Sequence, residues 1–132
     1  LEAPITFIWV QLGKAHTLLG RIAFEGYRMA NDRYRESHDE KDRTEAHSYL
    51  RQAAAEWTLA LAYDRLFAAD FRDLRRGMDR IYENVRTLNA EEMGIVYRAI
   101  DETAEKYNLE KPPALRSYLE ETFGRLIWEE QI

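Results

Sequence analysis

Residues 71–88 read FRDLRRGMDRIYENVRTL, and this stretch decides the fold. Its apolar residues recur at alternating spacings of three and four, and the positions between them are mostly charged. This period places the apolar side chains on one face of an α-helix and the charges on the other. The apolar face consists of Phe71, Leu74, Met78, Ile81, Val85 and Leu88. The stretch therefore predicts an amphipathic helix that packs on a larger core.

Two further helices are predicted after this stretch. Asn89 and Glu92 have the three-residue spacing of a capping box, which starts a helix over about residues 90–107. Asn108 favours the left-handed conformation that ends a helix, and the two prolines beyond it prevent continuation. The apolar pattern then resumes and predicts a last helix over about residues 113–130.

Two longer helices are predicted before this stretch. Ser37 and Glu40 form another capping-box pattern and predict a helix over about residues 38–69, which either stops there or continues into the next helix. The first helix, over about residues 4–35, carries a seam of residues spaced by three and four, which we expect to face a partner helix. The seam consists of Ile5, Ile8, Leu12, Ala15, Leu19, Ile22, Gly26 and Met29. A second covered side is predicted at an adjoining stripe of Trp9, His16, Ala23 and Ala30.

These segments predict an all-α protein, a bundle of about five amphipathic helices that forms one domain over residues 1–132. The chain is 45% hydrophobic and 33% charged, which is typical of a protein with a packed core. It has no cysteine, which excludes disulfides and thiolate metal sites. The net charge of −5 and the absence of a long apolar run predict no nucleic-acid partner and no transmembrane segment. Leu1 at the start fits a trimmed tag, a fragment boundary or a cleaved targeting peptide.

Histidines are the first candidates for chemistry. His16, in the sequence AHTLLG, resembles the histidine phosphotransfer motif, although Leu19 stands where that family has a lysine. Arg33 and His38 have the Arg-x4-His spacing of the HEPN ribonuclease family, in which such a pair acts on an RNA phosphate. The Glu-x-x-His pairs of iron-binding bundles do not occur. We therefore expect no catalytic residue, no cofactor and no metal site, with phosphotransfer and RNA cleavage kept as alternatives.

Aromatic residues exceed what a core of five helices needs, with three Trp, eight Tyr and five Phe in the chain. Large aromatic side chains and Arg are enriched at the centres of protein interfaces. We expect partner contacts at Trp9, Tyr27, Tyr34, Arg72, Arg76 and Trp128. The leading prediction is a non-catalytic structural subunit of a larger assembly. The alternative is a free-standing adaptor or regulator that dimerises through the seam of the first helix.

Five segments carry a family resemblance, and they are residues 26–34, 42–46, 71–79, 88–92 and 115–119. In this order they are similar to stretches of the small, all-helical matrix-side subunit of mitochondrial ubiquinol–cytochrome c reductase (respiratory complex III), the subunit 7 or ubiquinone-binding-protein family. The resemblance implies a supernumerary subunit of the electron transport chain that has no redox centre. It also implies a place on the matrix side of the mitochondrial inner membrane, where the subunit braces cytochrome b and the core subunits. Without the resemblance, the expected location is the cytoplasm.

Overall fold

The computed structural model describes the backbone of residues 2–67, 71–109 and 113–131, and the side chains of residues 8–63, 75–109 and 113–123. Within these ranges the chain forms helices and no strand, so the predicted all-α class is confirmed. The helices are α1 Glu2–Ser37, α2 Glu40–Phe67, α3 Phe71–Val85, α4 Ala90–Lys106 and α5 Ala114–Gln131. The link between α2 and α3, left open by the sequence, lies outside the described residues.

Both ends of α4 follow the sequence signals. The Asn89 side chain accepts a hydrogen bond from the backbone N–H of Glu92 at 2.8 Å, and Glu92 Oε1 accepts one from the backbone N–H of Asn89 at 3.1 Å. This reciprocal pair is the predicted capping box. At the other end, Asn108 has a φ of 53°, and the N–H of Leu109 reaches back to the carbonyl of Ala104 at 2.7 Å. The left-handed ending is therefore confirmed.

The turn between α1 and α2 differs from the prediction. His38 has a φ of 55° and ends α1, a role that the sequence did not indicate. The cap of α2 is Asp39, whose Oδ1 accepts a hydrogen bond from the N–H of Lys41 at 3.0 Å. Ser37, predicted as the cap, is instead the last residue of α1 and accepts from the N–H of Asp39 at 3.1 Å. The predicted capping box at Ser37 is wrong because the left-handed His38 moves the start of α2 to Glu40.

Close contact between α1 and α2 organises the fold. The two helices run antiparallel, since Arg33 pairs with Glu45 near the turn and His16 pairs with Glu56 further along. Between these pairs, a Cβ built on Gly20 would lie 2.6 Å from Cδ1 of Trp57. Only a residue without a side chain fits at that point, so the small residue sets how closely the helices approach.

We expect Gly20→Ala and Gly94→Ala to change stability in opposite directions. At Gly20 the new methyl group collides with the buried Trp57 ring, and such overpacking costs about 1–3 kcal/mol, against a gain of about 1 kcal/mol in helix propensity. A Cβ on Gly94 in α4 meets nothing within 4 Å, so that variant gains up to about 1 kcal/mol. Urea unfolding followed by circular dichroism measures both. Equal shifts in the two variants would show that α1 and α2 do not approach as closely as described.

Residues from each of the helices α1 to α5 meet in one buried core. The largest fully buried side chains are Leu50, Val85, Val96, Ile100, Leu115 and Leu119. In the stretch that opened the sequence analysis, Met78, Ile81 and Val85 are buried and Leu88 is half-buried, as predicted. The side chains of Phe71 and Leu74 lie outside the described residues. Because α2 contacts α1, α3 and α4, it is the central helix.

The predicted packing of α1 is wrong for its main seam. The contact with the core uses the adjoining stripe, where Ala23 and Ala30 are buried, together with Phe24 and Tyr27. The seam predicted to face a helix turns to solvent instead, at Ile8, Leu12, Leu19, Ile22 and Met29. Small residues are the physical reason, since Gly20, Ala23 and Ala30 let α2 lie close and the bulkier seam does not.

Candidate interaction surface

One side of α1 exposes a long row of apolar side chains. We call it the α1 stripe, and it consists of Ile8, Leu12, Ala15, Leu18, Leu19, Ile22 and Met29. Its six large side chains are between 38% and 62% exposed. The described parts of α2 to α5 thus leave the row in contact with solvent. Large exposed apolar patches are often interaction sites, so the α1 stripe is a candidate binding surface.

The stripe and the buried face of α1 lie beside each other around the helix. Ala23 follows Ile22 and Ala30 follows Met29, and each step of one residue turns the side chain by about 100°. The sequence contains a signal that separates the two faces. Small residues recur seven apart on the buried face, at Gly13 and Gly20 and again at Ala23 and Ala30. Such spacing is typical of the face that a second helix approaches closely.

Polar and aromatic groups border the stripe. Lys14, Arg21 and Glu25 are exposed along one edge. On the other edge the Tyr49 ring of α2 lies over Gly26, where a built Cβ would be 2.8 Å from the ring. An apolar centre with a polar rim is the usual anatomy of a protein interface.

His16 lies between α1 and α2, next to the stripe. Its Nδ1 is 2.5 Å from Oε2 of Glu56, and its ring stacks on that of Tyr63 with centroids 5.6 Å apart. Trp9 meets the same Tyr63 ring edge-on at 5.7 Å. These contacts hold the imidazole as part of the α1–α2 packing. Phosphotransfer at His16 stays a prediction.

Arg33 and His38 have different neighbours. The guanidinium of Arg33 lies 3.0 Å from a carboxylate oxygen of Glu45 and 3.7 Å from one of Asp42. His38 is exposed, and its ring meets Tyr34 edge-on at 6.3 Å. The described contacts of Arg33 are thus with carboxylates, whereas RNA cleavage needs its charge for a phosphate. RNA cleavage by this pair stays a prediction.

Tyr27, predicted as a partner contact, is part of the core. It is 5% exposed, and its hydroxyl donates a hydrogen bond to Oε2 of Glu92. Glu92 is itself buried and caps α4 with its other oxygen, so this carboxylate ties α4 to α1. The prediction of Tyr27 as a partner contact is wrong, because its position in the helical repeat places it on the buried face of α1.

Tyr27 makes stability sensitive to high pH. Burial, then the hydrogen bond and the charge of Glu92, raise the pKa of the Tyr27 hydroxyl well above its usual value of 10.0. The contribution of Tyr27 to the free energy of unfolding is complete at pH values below the pKa of this tyrosine in the unfolded chain. It declines at higher pH, because there the tyrosine ionises only in the unfolded chain. We expect the free energy of unfolding to fall less between about pH 9 and 11 in Tyr27→Phe than in the wild type. Equal slopes in urea titrations of the two proteins would contradict this.

The other predicted contacts are dispersed. Trp9 and Tyr34 are half-buried along α1, and Arg76 is exposed on α3. Arg76 lines a groove between α1, α2 and α3 together with Arg21 and Arg80. The side chains of Arg72 and Trp128 lie outside the described residues. The structure does not gather the described members of this set into one patch.

An apolar cleft of about 640 Å³ opens near Trp9, where the ends of several helices meet. Its lining includes Leu59, Tyr63, Tyr107 and Leu109. The Thr58 hydroxyl on its wall already donates a hydrogen bond to the carbonyl of Ala54 at 2.8 Å. The cleft therefore offers mainly apolar surface, and the α1 stripe is the more extended candidate for binding.

The described ranges contain no cluster of metal ligands and no helix suited to span a membrane. There, no three His, Asp or Glu side chains cluster closely enough to hold a metal ion. Nor does any helix in the described part of the chain combine the length and the apolar character needed to cross a bilayer. Comparison of the chain with known protein families, with curated proteins and with solved structures finds no match.

Proposed function

We propose that the protein is a non-catalytic assembly subunit that binds other protein chains through the α1 stripe. The observation that carries this proposal is the exposure of six large apolar side chains in one row of a long helix. Burying apolar surface is the main driving force of protein association. When another protein covers this row, the free energy falls because the apolar side chains leave water.

The sequence of α1 supports a use for this surface outside the fold. The core face of α1 already has its own apolar residues, such as Phe24 and Tyr27, so folding does not require the stripe. The stripe nevertheless keeps its apolar period from Ile8 to Met29, through about six turns of an otherwise polar outer side. A surface helix with no partner is typically polar on that side.

A narrower proposal places the subunit in mitochondrial respiratory complex III, on the matrix side of the inner membrane. It rests on the sequence resemblance. Three of the five resembling segments come together in the fold, since Tyr27 bonds Glu92 and Arg43 pairs with Glu91 at 2.5 Å. Copurification of the tagged protein with cytochrome b and the core subunits from mitochondria tests this placement. Purification without any of them would contradict it.

The native size of the protein tests the broader proposal. In extracts of the source cells, tagged wild-type protein should elute from a sizing column above the mass of one 15.6 kDa chain plus its tag. A double variant, Leu19→Arg with Ile22→Arg, should elute as a single chain, because two charges in the stripe oppose its burial. The matched control is Val10→Arg, which changes an exposed apolar residue of α1 away from the stripe. Wild-type protein that elutes as a single chain would contradict the proposal.

A further inference from the structure

We propose that the α1 stripe binds the α1 stripe of a second copy of this chain, in an antiparallel pair of helices. This inference rests on the proposed function and names its partner. The spacing of the stripe supports it first. The stripe residues other than Leu18, together with Gly26 at the border of the stripe, occupy positions 8, 12, 15, 19, 22, 26 and 29. These positions alternate steps of four and three, which is the 3.5-residue repeat of a seam between two supercoiled helices. A seam of this length extends for about 32 Å at 1.5 Å per residue.

The sizes of the side chains favour the antiparallel direction. In an antiparallel seam, positions 8, 15, 22 and 29 of one copy meet positions 12, 19 and 26 of the other, and when the two-fold axis passes between Ala15 and Leu19, each small residue meets a large one. Ala15 meets Leu19, and Gly26 meets Ile8 beside the Tyr49 ring that lies over the glycine. Ile22 then meets Leu12. The seam is thereby filled by large residues set against small ones.

A parallel pair would fit less well. It sets Ala15 against Ala15, which leaves a gap in the seam, and such a gap loses packing energy.

The area of the stripe is sufficient for a dimer. The exposed parts of its six large side chains amount to roughly 600 Å² per copy, or about 1,200 Å² in total, which is the lower end of stable interfaces. Leu18 and Leu19 lie near the two-fold axis, at the centre of the interface. Substitution there should have the largest effect, because central positions of an interface lose contact with water most completely.

The mass of the purified protein in solution tests the dimer. Wild-type chain at about 50 μM should sediment near 31 kDa, twice the 15.6 kDa of one chain. Leu19→Arg buries a guanidinium group on each side of the two-fold axis and should raise the dissociation constant at least about 100-fold. Val10→Arg is the matched control and should leave it unchanged. Circular dichroism verifies that all three proteins are helical.

Single cysteines test the direction, since the natural chain has none. A mixture of Leu12→Cys protein and Ile22→Cys protein should form a disulfide between the two variants. Ile22→Cys protein alone should not, because its two thiols lie about 15 Å apart in the antiparallel pair. A disulfide in Ile22→Cys alone and none in the mixture would indicate a parallel pair and overturn the inference.

The two proposals fail in different ways. A purified monomer overturns the dimer, as does a dimer that Leu19→Arg leaves intact. If that purified monomer still elutes within a larger assembly in extracts, and the stripe variant does not, another protein covers the stripe and the proposed function is retained. If the wild-type chain is a monomer in both settings, both proposals are wrong.

Discussion

Trp57→Ala is expected to cause the largest loss of stability, about 3–5 kcal/mol, as for other buried aromatic residues cut back to alanine. Trp57 is 3% exposed. Its ring fills the space over Gly20 and meets the Phe24 ring with centroids 5.5 Å apart. Removing it leaves a cavity that α1 and α2 cannot close, because their spacing is also held by residues on either side. Urea unfolding followed by circular dichroism gives the change.

Tyr107→Ala is the matched control for this prediction. Tyr107 is 50% exposed at the end of α4, and a surface substitution of this kind changes stability by about 0.5 kcal/mol or less. A similar loss in the two variants, or a loss below about 1 kcal/mol in Trp57→Ala, would show that the contact of α1 with α2 does not depend on the Trp57 ring.

Glu92→Ala is expected to cause the second largest loss, of about 2–4 kcal/mol. Two separate bonds end on this buried carboxylate, one from the Tyr27 hydroxyl and one from the N–H of Asn89. A buried hydroxyl left without its acceptor costs about 1–3 kcal/mol, and loss of half a capping box adds about 1 kcal/mol. Thermal and urea unfolding measure the sum.

Glu91→Ala is the neighbouring control. Glu91 is exposed and pairs with Arg43 at 2.5 Å, so its side chain joins α4 to α2 at the surface. Exposed ion pairs contribute little, because water screens them. The urea midpoint should therefore stay close to that of the wild type. If Glu91→Ala destabilised the protein as much as Glu92→Ala, the burial of Glu92 could not be the cause.

Local signals predicted the elements that depend on neighbours in sequence. The capping box joins Asn89 to Glu92, and the left-handed ending joins Asn108 to its close neighbours in sequence. Each motif lies within a segment of about six residues, so that segment contains all the information needed to predict it. His38 shows the limit of such signals. Its positive φ is set by the turn that brings α2 back along α1, and histidine is not a residue that marks such a position as glycine does.

The choice of face on α1 needed information from a distant part of the chain. The period of apolar residues gave two neighbouring faces, and the larger one was predicted to face a partner helix. The contact of Gly20 with Trp57 instead places the other face of α1 against α2, and these two residues lie 37 positions apart. The same choice decides the candidate site, because the face that α2 does not cover becomes the α1 stripe. Sequence period alone cannot separate a face for the core from a face for a partner.

The most direct test of the central claim is the reactivity of a cysteine in the stripe. Ile22→Cys and Val10→Cys each place one thiol on α1 of a chain without natural cysteine. The tagged protein is kept at its native concentration in extract and treated with a maleimide reagent of high mass. The increase in the mass of the protein gives the rate at which the cysteine at each position is modified. The account predicts that the cysteine at position 22 reacts at least about tenfold more slowly than the one at position 10, since a partner covers it. Equal rates at the two positions would contradict the account.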